Sequence, residues 1–187
     1  MITRKELLTA SWQMGCCGIA ALAGAGITSA GEPQQPAAQV PPPDPEKAFI
    51  QDWLADLMNE VDATLDEPTK ARLIGGCGRA CFERFAFKRA WAEEGRGDVA
   101  KLIAALRKNF NVQREGRQVH IRYGLISKGC YCPAAKYRPA RPNDLHCYCS
   151  RGTHQAVWET ALGRPVQVDI AETVRRGGKT CHFVVTL

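Results

Sequence analysis

The chain has 187 residues, of which 45% are hydrophobic and 24% charged, and its net charge is +6. This size and composition are typical of one globular domain and too small for two. The positive charges are scattered in short clusters such as Lys88-Arg89 and Arg175-Arg176, with no basic run interleaved with aromatic residues. That pattern favours a solvated surface and argues against a nucleic-acid partner. The unusual feature of the composition is the presence of nine cysteines.

The first 30 residues have the layout of an export leader. They run from the basic pair Arg4-Lys5 through small apolar residues to Thr28-Ser29-Ala30, which is a small-x-small cleavage pattern. The start resembles a twin-arginine leader with lysine in the second position. Since glycines and polar residues interrupt the apolar stretch, it falls short of the ~20 residues of a membrane span. We therefore predict an export signal over 1–30, a bacterial periplasmic location, and no stable membrane span once the leader is removed.

The residues after the leader divide into a linker and a domain. Residues 31–45 are rich in proline and glutamine and predict an extended linker. The folded part is then a single domain over 46–187. Cys16 and Cys17 leave with the leader, so seven of the nine cysteines remain. An odd number of thiols cannot all pair within one monomer.

The first half of the domain has the apolar periodicity of helices. We predict one amphipathic helix over 46–65, a second over 68–91, and a third over 98–110 that begins at an aspartate cap. The second helix carries Cys77 and Cys81, which are four residues apart and share a face. We expect this face to turn toward the cysteine-rich segment that follows.

The second half changes to the alternation of strands. We predict a strand over 118–125, a proline- and cysteine-rich loop over 129–150, a short helix over 152–162, and a hairpin of strands at 165–172 and 179–187. The fold class is therefore α+β, with N-terminal helices followed by a small antiparallel sheet, a cysteine-rich loop and one short helix.

Two Cys-Tyr-Cys units stand at Cys130–Cys132 and Cys147–Cys149. On an extended chain, positions two apart share a face, so each unit can present both sulfurs together. Thiolates are ligands for zinc and other soft or borderline metals. The predicted metal ligands, with zinc as the first choice, are Cys77, Cys81, Cys130, Cys132, Cys147 and Cys149.

Two other uses of these thiols remain open. In an oxidising compartment they can form disulfides, for example Cys130 with Cys149 or Cys132 with Cys147. A reactive thiol is the third reading, because Cys81 lies near Lys88 and two arginines, and positive neighbours lower the pKa of a thiol.

The segment 133–146 contains three prolines and little that can be buried, so we expect a cross-link to fix its ends. A thiolate-bound metal can contribute on the order of 10 kcal/mol to folding, and a disulfide closing a ~15-residue loop about 3 kcal/mol. The histidines are weaker candidates. His120 and His182 lie in predicted strands, where packed polar residues are commoner than ligands, and His146 and His154 flank the second Cys-Tyr-Cys unit.

The C-terminal part resembles a known family. Gly163-Arg-Pro-Val166, then Glu172, then Gly177-Gly178-Lys-Thr-Cys181-His-Phe183 is similar to the end of vinyl-4-reductase (V4R) type ligand-binding domains and 2-aminothiazoline-4-carboxylate hydrolase-like proteins. The resemblance implies an α+β domain that encloses a small organic ligand, with a zinc site near the pocket and Cys181 at a matching position. The expected function is an exported metal-binding domain with a small-molecule pocket. The alternatives are a thiol-dependent enzyme, hydrolase-like or redox, and a disulfide-stapled interaction domain.

Overall fold

The computed structural model describes residues 44–135 and 137–187, so the predicted leader and most of the linker lie outside the described residues. The helices are α1 Pro45–Thr64, α2 Glu67–Arg84, α3 Ala86–Glu94, α4 Val99–Arg107 and α5 Cys147–Leu162. The strands are β1 Asn111–Glu115, β2 Gln118–Arg122, β3 Gln167–Glu172 and β4 His182–Thr186. The predicted α+β class is confirmed, with N-terminal helices followed by an antiparallel sheet. No helix of the described range is long and apolar enough to cross a membrane.

Aspartates begin three of the helices. Asp44 caps α1, Asp66 caps α2 by accepting from the N–H of Thr69 at 2.8 Å, and Asp98 caps α4 by accepting from the N–H of Ala100 at 2.7 Å. Each carboxylate satisfies backbone donors that the first helical turn leaves without partners. These helix starts are the part of the fold that local chemistry specifies most directly.

The predicted second helix is in fact two helices. Phe85 takes an extended conformation, with φ −100° and ψ 111°, and separates α2 from α3. The change of direction brings Trp91 and Ala92 of α3 into the core. Helical apolar spacing continued through the break, which is why the sequence predicted one uninterrupted element.

The sheet has the order β1-β2-β4-β3, with every neighbouring pair antiparallel. β1 was not predicted: it is an edge strand with a single buried residue, Val112, and therefore has almost no apolar pattern. It joins β2 through a turn at Gly116, where φ is +59°. Alternate residues of β2 and β4 face the core, and α4 and α5 contribute the other side of that core. The completely buried apolar side chains are Leu102, Leu106, Val119, Ile121, Leu145, Val157, Trp158, Phe183 and Val185.

α1 lies at the surface of the domain. None of its residues is buried, and Phe49 and Trp53 are 72% and 58% exposed. Polar contacts from Asn59 and Asp62 to the arginines of the cysteine-rich loop attach it to the rest of the domain.

Glycines allow α2 and α5 to pack with their backbones in contact. A Cβ atom built on Gly78 would lie 2.0 Å from the carbonyl oxygen of Cys149, and one on Gly152 would lie 2.2 Å from the carbonyl oxygen of Gly75. The hydroxyl of Thr153 donates to the carbonyl of Gly78 at 3.0 Å across the same contact. Because a side chain at either glycine would collide with backbone, this crossing requires hydrogen at both positions.

We predict that Gly78→Ala destabilises the domain by about 1–3 kcal/mol or more, because the new methyl group must push the helices apart. Gly76→Ala is the matched control. Gly76 is also in α2 but has no atom within 4 Å of its Cβ position, so alanine there should be neutral or stabilising by up to about 1 kcal/mol. Urea unfolding of the two variants measures the difference, and equal stabilities would show that the close crossing is not required.

Candidate functional site

The second Cys-Tyr-Cys unit lies in the first turn of a helix, not in a loop. α5 begins at Cys147, five residues earlier than predicted. Helical residues two apart lie roughly 200° apart around the axis, so Cys147 and Cys149 do not share a face. The buried Cys147 thiol lies 3.0 Å from the hydroxyl of Thr173, while the backbone of Cys149 contacts α2 at Gly78. The expectation that this unit presents both sulfurs together is wrong.

Cys149 instead shares a region with cysteines from α2 and from the loop. Burial, and after it the charges of Cys132, Cys81 and Cys77, raises the pKa of the Cys149 thiol to about 12. Cys81 follows Gly78 by three residues, and therefore lies one turn along the α2 face that contacts α5. Cys77 is exposed, and the other three are half-buried. We call Cys77, Cys81, Cys132 and Cys149 the α2–α5 thiol group.

Lys88 places a positive charge at this group. Its Nζ donates to the sulfur of Cys81 at 2.9 Å and lies 5.6 Å from the ring centroid of Phe85. The sequence suggested arginine neighbours as well, but Arg79 points elsewhere and pairs with Glu159 at 2.6 Å. The cation beside the Cys81 thiol is therefore lysine.

The other three cysteines are Cys130, Cys147 and Cys181, and Cys130 adjoins Cys132 of the α2–α5 thiol group. Burial raises the pKa of Cys130, Cys147 and Cys181, with Cys181 reaching about 11, and the charge of Cys130 adds to the effect on both of the others. Cys181 entered the sequence analysis only through the family resemblance. All seven cysteines of the domain thus lie in one region, in which Cys130 and Cys132 connect the α2–α5 thiol group to the other three.

A tyrosine–histidine pair lies beside both groups. The Tyr123 hydroxyl is 3.0 Å from Nε2 of the buried His154, whose ring also packs against Phe183 at a centroid distance of 4.9 Å. Burial, assisted by the charge of Lys88, lowers the pKa of His154 to about 3, so this imidazole is neutral at neutral pH. Burial and the nearby thiols raise the pKa of Tyr123. His154 is therefore a packed residue, and no local pattern indicated its partner 31 positions away.

A buried ionic network holds the cysteine-rich loop. Asp144 is completely buried and accepts from Arg138 Nη1 at 3.1 Å and from Arg175 Nε at 2.9 Å. Arg138 also donates to Asp62 of α1 at 2.9 Å, and Leu145 next to the aspartate is fully buried. The expectation that the segment buries little is therefore wrong, whereas its need for a cross-link stays a prediction.

A cleft of 330 Å³ opens between α2 and α5. It is lined by Arg72, Arg79 and Arg151, by Gln155, and by the glycines of the helix crossing. No cysteine lines the cleft, so the cleft and the α2–α5 thiol group are separate features.

Among residues 44–135 and 137–187, no three side chains of His, Cys, Asp or Glu are already arranged to hold a metal ion. The predicted six-cysteine ligand set stays a prediction. No model of a known protein family matches the chain, and neither does any curated protein. The V4R resemblance also stays a prediction.

We predict that Asp144→Asn destabilises the domain by about 3–5 kcal/mol, because it leaves two buried arginines without their carboxylate. Burial alone would raise the pKa of Asp144, but the hydrogen bonds from Arg175 and from the N–H of His146, together with the charges of Arg175 and Arg138, lower it below its usual value. Its contribution is therefore present above the unfolded-state pKa of about 4 and is lost as the pH falls through the lower folded-state value.

The difference in stability between the wild type and Asp144→Asn should accordingly be largest near neutral pH and shrink in acid, as measured by urea unfolding at several pH values. Asp169→Asn, at an exposed position of β3, is the control and should have little effect. A constant difference down to strongly acidic pH would contradict the ionic role of Asp144.

Proposed function

We propose that this chain is an exported, cysteine-rich domain that binds a metal ion, with zinc as the first choice, through the thiolates of Cys77, Cys81, Cys132 and Cys149. The observation that carries the proposal is the convergence of these four thiols, from α2, the loop and α5, at one helix crossing. The α2–α5 thiol group takes one cysteine from each Cys-Tyr-Cys unit. This ligand set differs from the one expected from the sequence, in which both cysteines of each Cys-Tyr-Cys unit bind the metal.

Electrostatics supports a cation at this position. Neighbouring thiolates repel one another, and this repulsion is one reason that the pKa of Cys149 is high. A divalent cation removes that repulsion and stabilises the deprotonated sulfurs as ligands. The ammonium group of Lys88 already supplies one positive charge to the Cys81 sulfur. The half-buried positions leave a route for an ion from solvent.

The ligand number indicates the type of metal site. Four thiolates complete the tetrahedral coordination of zinc and leave no open position, which is typical of structural zinc sites. Bound there, the ion would link α2, the loop and α5. Small adjustments of the side chains must bring the sulfurs to bonding distance, because the α2–α5 thiol group is not in ligating geometry as described.

The high pKa of Cys149 argues against this cysteine as a nucleophile, whereas a reactive Cys81 beside Lys88 stays an alternative to the metal site. A nucleophilic cysteine needs a thiolate near neutral pH, whereas the pKa of Cys149 is about 12 without a metal. A disulfide-stapled domain remains the alternative that the thiol count must distinguish.

A second candidate function is binding of a small anionic molecule in the cleft between α2 and α5. Its volume of 330 Å³ is within the range of about 300–1,000 Å³ typical of ligand sites. Arg72 and Arg151 offer guanidinium groups, which suit carboxylates because two parallel hydrogen bonds can form, whereas Arg79 is already paired with Glu159. A ligand pocket is also what the V4R resemblance implies.

We predict one zinc ion per chain in protein purified from the periplasm, and loss of that ion in Cys81→Ser and Cys149→Ser. Cys147→Ser is the matched control: it changes a thiol in the same turn of α5 but on the other side, so zinc should be retained. Elemental analysis and a free-thiol count on the same samples measure the result, while far-ultraviolet circular dichroism checks folding.

Two results would contradict the proposed site. Equal zinc loss in Cys147→Ser and Cys149→Ser would favour the ligand set formed by both Cys-Tyr-Cys units. Metal-free protein with one free thiol would establish the disulfide alternative.

For the cleft, we predict that benzoate binds the wild type and that Arg72→Gln and Arg151→Gln each weaken binding about tenfold, because each removes a charge-assisted hydrogen bond of about 1.5–3 kcal/mol. Isothermal titration calorimetry measures the affinities. Arg164→Gln, an exposed arginine that does not line the cleft, is the control. If all three variants bind benzoate like the wild type, the cleft is not an anion site.

A further inference from the structure

Two histidines meet on the face of the sheet that is turned away from the core. His120 of β2 and His182 of β4 lie in adjacent strands, and the register pairs His120 with Val184 and His182 with Arg122. The histidines are therefore diagonal neighbours on one face. Their rings approach until Nδ1 of His120 is 3.0 Å from Nε2 of His182. The alternate residues of these strands, such as Ile121 and Phe183, face the core. The two histidines therefore lie on the other face of the sheet.

The distance between the two nitrogens is also suitable for chelation. Metal–imidazole bonds of about 2.0–2.1 Å with the nitrogens 3.0 Å apart correspond to an angle of roughly 94° at the metal. Angles near 90° are those of square-planar and octahedral sites, which favour Cu²⁺ and Ni²⁺. A tetrahedral angle would need the nitrogens somewhat further apart.

If Nδ1 of His120 binds a metal ion, Nε2 of the same ring must carry the proton, and a carboxylate lies near Nε2. Nε2 of His120 is buried and makes no hydrogen bond within the described residues. The nearest carboxylate oxygen, Oε2 of Glu115 on β1, is 3.6 Å away, which is slightly longer than a hydrogen bond. Metal-bound histidines usually donate their other N–H to a carboxylate or carbonyl, which fixes the tautomer and the ring.

We propose that Nδ1 of His120 and Nε2 of His182 form a second metal site, of imidazole type, for a divalent cation such as Ni²⁺ or Cu²⁺, with Glu115 as the outer carboxylate partner. In the described state, one of the two facing nitrogens carries a proton and donates it to the other. On metal binding that proton moves to the second nitrogen of the same ring, so both facing nitrogens become ligands and no net proton is released. Water completes the coordination.

The site does not depend on the α2–α5 thiol group. His120 and His182 come from the sheet, whereas the four thiols come from α2, α5 and the loop. Arg122 is a cation near His182 and opposes binding, while Glu115 favours it. A two-histidine site with this balance of charge suits an exchangeable ion better than a permanent one.

The test is a titration of the mature protein with Ni²⁺, followed by the imidazole signals in long-range ¹H–¹⁵N NMR spectra. The paramagnetic ion should broaden the signals of His120 and His182 first. His120→Gln and His182→Gln should each weaken binding at this site at least tenfold, and Glu115→Gln about tenfold. Gln113→Ala changes the β1 residue opposite His120 without removing a ligand, and should leave the affinity unchanged.

Circular dichroism establishes that each variant is folded. The proposal is overturned if both imidazole signals stay sharp at saturating Ni²⁺, or if folded His182→Gln binds the ion at this face as tightly as the wild type. Broadening confined to signals near the α2–α5 thiol group would likewise overturn it, and would leave the thiolate proposal standing.

Discussion

The backbone contact between α2 and α5 is the constraint on which the cysteine region depends. With hydrogen in place of a side chain at Gly78 and Gly152, the two helices approach until carbonyl groups limit the distance. Cys81 lies one turn beyond Gly78 in α2. It is therefore close to Cys149, whose backbone contacts Gly78 in the first turn of α5. Larger residues would widen the crossing and separate the thiols. The spacing of the helices, and not the spacing of cysteines along the chain, decides which sulfurs become neighbours.

The loop between the two Cys-Tyr-Cys units is held by charge. Asp144 joins Arg138 and Arg175, and Arg138 continues to α1 through Asp62. Because these ion pairs are buried and well hydrogen-bonded, removing one partner destabilises the domain strongly, so the network helps to hold the loop.

Local chemistry was enough to predict the α+β class, the cap at Asp98 and the C-terminal hairpin, because each of these has a signal within a few residues. It was not enough for three other features. The break at Phe85 keeps helical apolar spacing on both sides, β1 has one buried residue, and α5 has no side-chain cap at His146. Asp144 accepts from the N–H of His146 at 2.9 Å and so stabilises the turn that leads into α5. This aspartate lies in a proline-rich segment, where no sequence pattern indicated a helix start. The six-cysteine ligand set stays a prediction; because α5 begins at Cys147, the side chains of Cys147 and Cys149 point to different sides of the helix, which the spacing of the cysteines did not predict.

β4 separates the two kinds of ligand that the domain offers. Cys181 is buried on the core side beside the thiols, and its chain neighbour His182 is on the opposite face with His120. Strand alternation thus directs the Cys181 thiol and the His182 imidazole to different environments from adjacent positions. Thiolates select zinc and other thiophilic ions, whereas paired imidazoles with water suit Cu²⁺ and Ni²⁺. Since ligand type and geometry govern metal selection more than raw affinity does, the two faces would discriminate between metals even when both ions are present.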